Sequence, residues 1–149
     1  HEEGGFDASF VKADGARMRW IKAPEEGEPL LVQGADVVIP VVSARAIGEP
    51  LDERVAHRIE RVAAVTGVAQ GNLLTPEAVG RLLVSDAGAL RGSAGARVAP
   101  VINMVDNKQR EELARAAATA AIEMTSRFDR VVLCCLRRSS NSVVAVVTR

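Results

Sequence analysis

Read for the alternation of apolar and polar positions, the chain contains several short runs that are apolar on both faces. Asp36-Val37-Val38-Ile39-Pro40-Val41-Val42-Ser43 is the strongest, followed by residues 98–102, 131–136 and 143–147. Runs without alternation belong to strands covered on both sides. Pro40 weakens the first, because proline cannot donate to a ladder, so a free edge or a bulge is expected there. A shorter candidate, residues 8–12, runs into Asp14-Gly15, where glycine permits a sharp exit.

Between these runs the spacing becomes helical. Asp52 is expected to cap a helix reaching about Thr66 and closed by Gly67, with Val55, Ile59, Val62 and Ala63 inward and Glu53, Arg54, Arg58, Glu60 and Arg61 in water. Thr75-Pro76-Glu77 has the order of a helix start: cap, first-turn proline, early acid. That helix should run to about Ser85, and a loop should span residues 88–95. A long helix is expected over 108–126, with Leu113, Ala117, Ala120 and Met124 as its buried line. Residues 17–33 are irregular and punctuated by Pro24, Gly27 and Pro29, a long loop holding the single tryptophan, Trp20, as an anchor. Alternating strands and helices predict one α/β domain over residues 1–149: three layers, a mostly parallel sheet with flanking helices.

Composition changes this picture little. The 149 residues are 48% hydrophobic and 26% charged, and 19 basic residues balance 19 acidic ones. A balanced charge argues against nucleic acid or a membrane surface as a partner held by bulk electrostatics. No run is long enough for a membrane span. Cys134 and Cys135 are adjacent, face opposite ways on a strand and read as reduced core residues of a cytoplasmic protein.

The chemistry is expected where apolar strands end in polar residues. In open α/β sheets, ligands sit off the carboxyl ends of the strands. Asn103-Met104-Val105-Asp106 follows such a strand. Asn-x-x-Asp is the skeleton of the guanine-recognition element of GTP-binding proteins. One carboxylate there accepts both the ring N1–H and the exocyclic amine of guanine. The alternative is structural: Asp106 or Asn107 merely caps the following helix. Asp14 reads either as an acid holding Mg²⁺ or as an Asp-Gly turn. Ser43 and Lys22 are candidates for the phosphate side or a lid. The 137–141 turn could offer amides to a base, although a plain basic loop explains its arginines. His57 has no second histidine, cysteine or spaced acid near it in sequence, so no metal role is expected. No G-x-x-x-x-G-K-[ST] occurs, and Gly92-Ser93-Ala94-Gly95 lacks the lysine of such a loop.

Taken in order, Phe10-Val11-Lys12-Ala13-Asp14-Gly15-Ala16, Lys22-Ala23-Pro24, Glu28-Pro29, Leu74-Thr75-Pro76-Glu77 and the 103–106 block resemble the YqeC family, accessory proteins of selenium-dependent molybdenum hydroxylases. The resemblance implies a P-loop NTPase fold related to metallochaperone GTPases, incomplete here at its N-terminus, with the P-loop expected before His1. It further implies GTP or ATP with Mg²⁺ at Asp14, nucleotide contacts from Asn103, Asp106, Lys22 and Ser43, and nucleotide hydrolysis coupled to maturation of, or cofactor insertion into, a client molybdenum hydroxylase. Lys12 stands where the family has an acid, and Met104 replaces the lysine of the strict guanine motif. Two competing functions are a non-catalytic interaction module using the Trp20 to Gln33 loop and nucleotidyl transfer to a molybdenum pterin.

Overall fold

The computed structural model describes residue 5, residues 7–137 and residues 140–149. Arg138 and Ser139, inside the 137–141 turn, and the opening residues 1–4 lie outside the described residues. The strands are β1 (Ile21–Lys22), β2 (Val37–Val38), β3 (Val41–Ser43), β4 (Ala56–His57), β5 (Arg97–Val98), β6 (Val101–Asn103), β7 (Arg130–Cys134) and β8 (Val143–Thr148). The helices are α1 (Ile59–Thr66), α2 (Pro76–Val84) and α3 (Lys108–Met124). The four-stranded sheet runs β3-β6-β7-β8, parallel except for its antiparallel edge β8.

Two strands expected to be continuous are each split by a proline, and the two prolines sit side by side. Val38 faces Val98 and Val41 faces Val101, so Pro40 falls opposite Pro100. Neither proline has an N–H to give. The ladder still crosses the gap through neighbouring donors: Ala99 N–H donates to the Val38 carbonyl (3.0 Å) and Val101 N–H to that of Pro40 (2.8 Å). β2 and β5 therefore extend the β3–β6 pair backward.

Residues 8–12 form no strand, which corrects the expectation for them. Phe10 and Val11 are 87% and 65% exposed, and no ladder among the described residues includes them. The helix expected from Asp52 begins only at Ile59. Asp52 instead caps a tight turn, accepting from Arg54 N–H and Val55 N–H (2.9 and 3.1 Å). The next two residues are drawn into β4, parallel to β1. Trp20 N–H and Ile21 N–H both donate to the Val55 carbonyl (2.9 and 3.1 Å), a long-range pairing that local spacing does not reveal. The C-terminal end of α1 follows expectation, with Gly67 at φ +72° donating to the Ala63 carbonyl.

α2 begins as its sequence implies: Thr75 Oγ1 accepts from Ala78 N–H (3.2 Å), with proline in the first turn. α3 is capped by Asn107, whose Oδ1 accepts from Arg110 N–H (2.9 Å). Its buried line is Ala114, Ala117, Ala118, Ala121 and Ile122, rotated from the expected one; Met124 is exposed. The small residues admit α2 as well as the sheet, and a Cβ on Gly80 would lie 3.2 Å from that of Ala120.

The three-layer expectation is corrected to two. α3 packs on β7 and β8, α2 on α3, and α1 on α2. The strand residues facing this layer, Val42, Ile102, Val131 and Leu133, are buried. Their alternates, Val41, Val101, Val132 and Val146, lie opposite one another in a row across the sheet. Val41 is 57% and Val146 49% exposed, and among the described residues no helix covers this face.

Candidate functional site

Ser43 and Asn103 end β3 and β6 and are register partners on parallel strands. This is the arrangement the apolar runs imply. Ser43 is buried, and its hydroxyl accepts from Arg45 N–H (3.2 Å), capping a short 3-10 turn, Ala44–Ala46. Asn103 Oδ1 accepts from Leu136 N–H (3.1 Å), which staples the strand end to the segment leaving β7. Cys134 Sγ lies 3.5 Å from the same oxygen, and burial pushes its thiol pKa up. Between Asn103 and Asp106 the backbone turns through Met104 at φ +63°, a conformation that costs a non-glycine residue energy.

Asp106 is not the cap of α3, because Asn107 fills that role. Its carboxylate is held from two sides. Arg45 Nη2 donates to Oδ2 at 2.9 Å, and Arg110 Nη1 donates to Oδ1 from one helical turn onward. The hydrogen bonds from Arg45 and then Arg110 lower its pKa to about 2. Arg45 is not fully satisfied in return: its Nε is buried without a hydrogen-bond partner among the described residues. The chain spacing hid this arrangement, because Arg45 and Asp106 are 61 residues apart. The i,i+4 relation to Arg110 was the one visible signal.

A second cluster surrounds Lys22. Asp14 ends no strand; its Oδ1 accepts from Gly15 N–H, and its Oδ2 lies 2.5 Å from Lys22 Nζ. Glu28 Oε2 lies 2.6 Å from the same ammonium, whose side chain is only 10% exposed. Arg58 then ties the loop to α1, bonding Glu28 through Nη1 (2.6 Å) and Glu25 through Nη2 (2.5 Å). It does so from a left-handed backbone at φ +64° and therefore does not face water as its helical spacing suggested. Hydrogen bonds from Arg58 and Lys22 hold the Glu28 carboxyl well below the usual range. Burial, then Arg58, lowers the His57 pKa. His57 sits on β4, not on a helix, and no group of three metal-ligating side chains occurs among the described residues.

The two clusters meet along one line of the fold, since Ser43 N–H donates to the Trp20 carbonyl (3.2 Å), one residue before β1. Trp20 itself is half-buried against the core. Of the five residues singled out from sequence, Ser43, Asn103 and Asp106 thus share one rim, and Lys22 and Asp14 pair beside it. A groove lies elsewhere on the molecule. About 520 Å³ in volume, it is lined by residues 31–36, Val38, Gly92 and residues 94–97, at the start of the β2–β5 ladder.

The fold and rim define an α/β sheet protein with its polar residues gathered at the carboxyl ends of parallel strands. Residues 2–60 match the family described as YqeC protein. Over 84 residues, 56% of this chain, the sequence is 34% identical to the uncharacterized protein YqeC of Escherichia coli (strain K12), and the match covers 30% of that relative's length. No solved structure matches the chain. The family match contains the whole Lys22 cluster and both Ser43 and Arg45; Asn103 and Asp106 lie beyond it.

Proposed function

We propose that this chain is part of a YqeC-type accessory protein that binds a guanine nucleotide at the Ser43–Asn103–Asp106 rim. In this reading it serves the maturation of, or cofactor insertion into, a molybdenum hydroxylase. The observation that carries the reading is Asp106: ionised, a quarter exposed, released from helix capping and placed after a strained turn at the carboxyl edge of a parallel strand. A carboxylate so placed accepts the two adjacent donors of guanine and leaves adenine unmatched. Asn103 supports the site indirectly by fixing the segment that leaves β7.

Mg²⁺ does not fit Asp14 in this arrangement. The Lys22 ammonium already stands between Asp14 and Glu28, and among the described residues no set of three ligands surrounds them. Lys22 is likewise committed to carboxylates, not turned to a phosphate. The closed Lys22 cluster also favours a second reading, a non-catalytic module that binds another protein.

Titration with fluorescent GDP and ADP analogues separates the two. The nucleotide reading expects tighter binding of the guanine analogue, and Asp106→Asn should remove that preference. Absence of binding to either analogue would leave the interaction module standing.

A further inference from the structure

We infer that Arg45 is a built-in competitor for the base-recognition edge of Asp106, so that a guanine ring enters only as the Arg45 guanidinium leaves. This rests on the nucleotide reading above and assigns that site its regulation. The two groups offer matching donors. A guanidinium presents adjacent N–H groups in a fixed plane. The N1–H and 2-amino edge of guanine presents the same planar pair to the same acceptor. In the structure each Asp106 oxygen already accepts one guanidinium hydrogen bond, Oδ2 from Arg45 and Oδ1 from Arg110, and Arg45 approaches from the side that a base would use.

The two arginines are not equivalent. Arg110 belongs to α3 and is tied to Asp106 through a single helical turn, so it travels with the carboxylate. Arg45 comes from the neighbouring strand exit, on a three-residue turn held by the Ser43 hydroxyl. Among the described residues its Nε is buried without a partner, so its present position leaves that donor desolvated. Arg45 is thus the member of the pair with an energetic reason to leave. Adenine offers no matching donors to Asp106 and gains nothing from displacing it. The latch therefore weighs on guanine binding alone and sets its strength, while the base preference itself comes from Asp106.

The test compares the protein with its Arg45→Met variant, which keeps an unbranched stem but lacks the forked donors, in titrations with fluorescent GDP and ADP analogues. Circular dichroism and thermal melts check folding, and Arg45→Lys serves as a second variant that keeps the charge without the fork. The expected result is guanine binding tightened roughly tenfold in Arg45→Met, the scale of one charge-assisted contact, with adenine binding unchanged. Weaker guanine binding would make Arg45 a ligand and overturn the inference, as would equal tightening for both bases. Unchanged affinity in Arg45→Met, alongside a guanine preference that Asp106→Asn abolishes, would sink the latch and spare the nucleotide site. No binding by any of the proteins would remove both.

Discussion

Asp106 stays charged far into acid because two guanidiniums donate to it. The sign of the pH effect follows from that. Its folded pKa, about 2, lies below the ordinary 3.8, so its contribution to stability is complete above about pH 4 and is lost as pH falls toward 2. Urea midpoints measured from pH 6 to pH 2 should show wild type above Asp106→Asn at the neutral end, with the gap closing below pH 4. A gap that does not change with pH would mean the ion pairs contribute nothing. Glu28 is depressed in the same direction, from a higher ordinary value of 4.5, so its contribution also falls as the pH drops but over a wider window. How much of the rim could be read from sequence differs by residue. Asn103 and Asp106 announced themselves by following an apolar run, and Ser43 by ending another. Arg45 carried no local signal, and the choice between Asp106 and Asn107 as the cap needed coordinates.

At the scale of elements, close packing sets the strictest limits. A Cβ on Gly88 would stand 2.5 Å from the Leu82 carbonyl oxygen, a backbone atom that cannot step aside. Gly88→Ala should therefore cost about 1–3 kcal/mol, read as a lower urea midpoint with an unchanged slope. Gly80→Leu should wedge α2 from α3 at a comparable cost, since Ala120, Ala121 and Ala117 already close on that position. Thr75→Ala removes the cap of α2 and should cost about 1 kcal/mol. Caps of this kind are legible because they are local: Thr75-Pro76-Glu77 and Gly67 do in the fold what they promise in sequence. The stretch after Asp52 misleads for the opposite reason. Its helical spacing is genuine, but Val55 to His57 are captured by Trp20 to Lys22, a pairing across more than thirty residues. The facing prolines, Pro40 and Pro100, interrupt two strands at a shared level that neither run shows alone.

Among the described residues the four-stranded sheet carries α3, with α2 packed on α3 and α1 on α2, while β1–β4 and β2–β5 form short parallel pairs of their own. The α/β class and the parallel core of β3, β6 and β7 were readable, because strands expecting cover on both faces are written as unbroken apolar runs. The same runs imply a third layer, and the exposure of Val41 and Val146 at the two ends of the opposite face shows that no such layer is seen among the described residues. Hydrogen exchange should follow this layout. Amides of β6, β7 and α3 are expected to be the most protected, and residues 8–12 should exchange at nearly the rate of free chain. Protection of residues 8–12 equal to that of β7 would restore the strand expected there.

The claim on which the functional account turns is that the base lies at the rim, away from the groove at the other end of the ladder. Amide chemical-shift mapping during titration with GDP addresses it directly. The account predicts that the largest shifts fall on Arg45, Leu136 and Arg110, and that they vanish in Asp106→Asn. Shifts concentrated on Gly34, Asp36 and Gly95, with the rim silent, would contradict it.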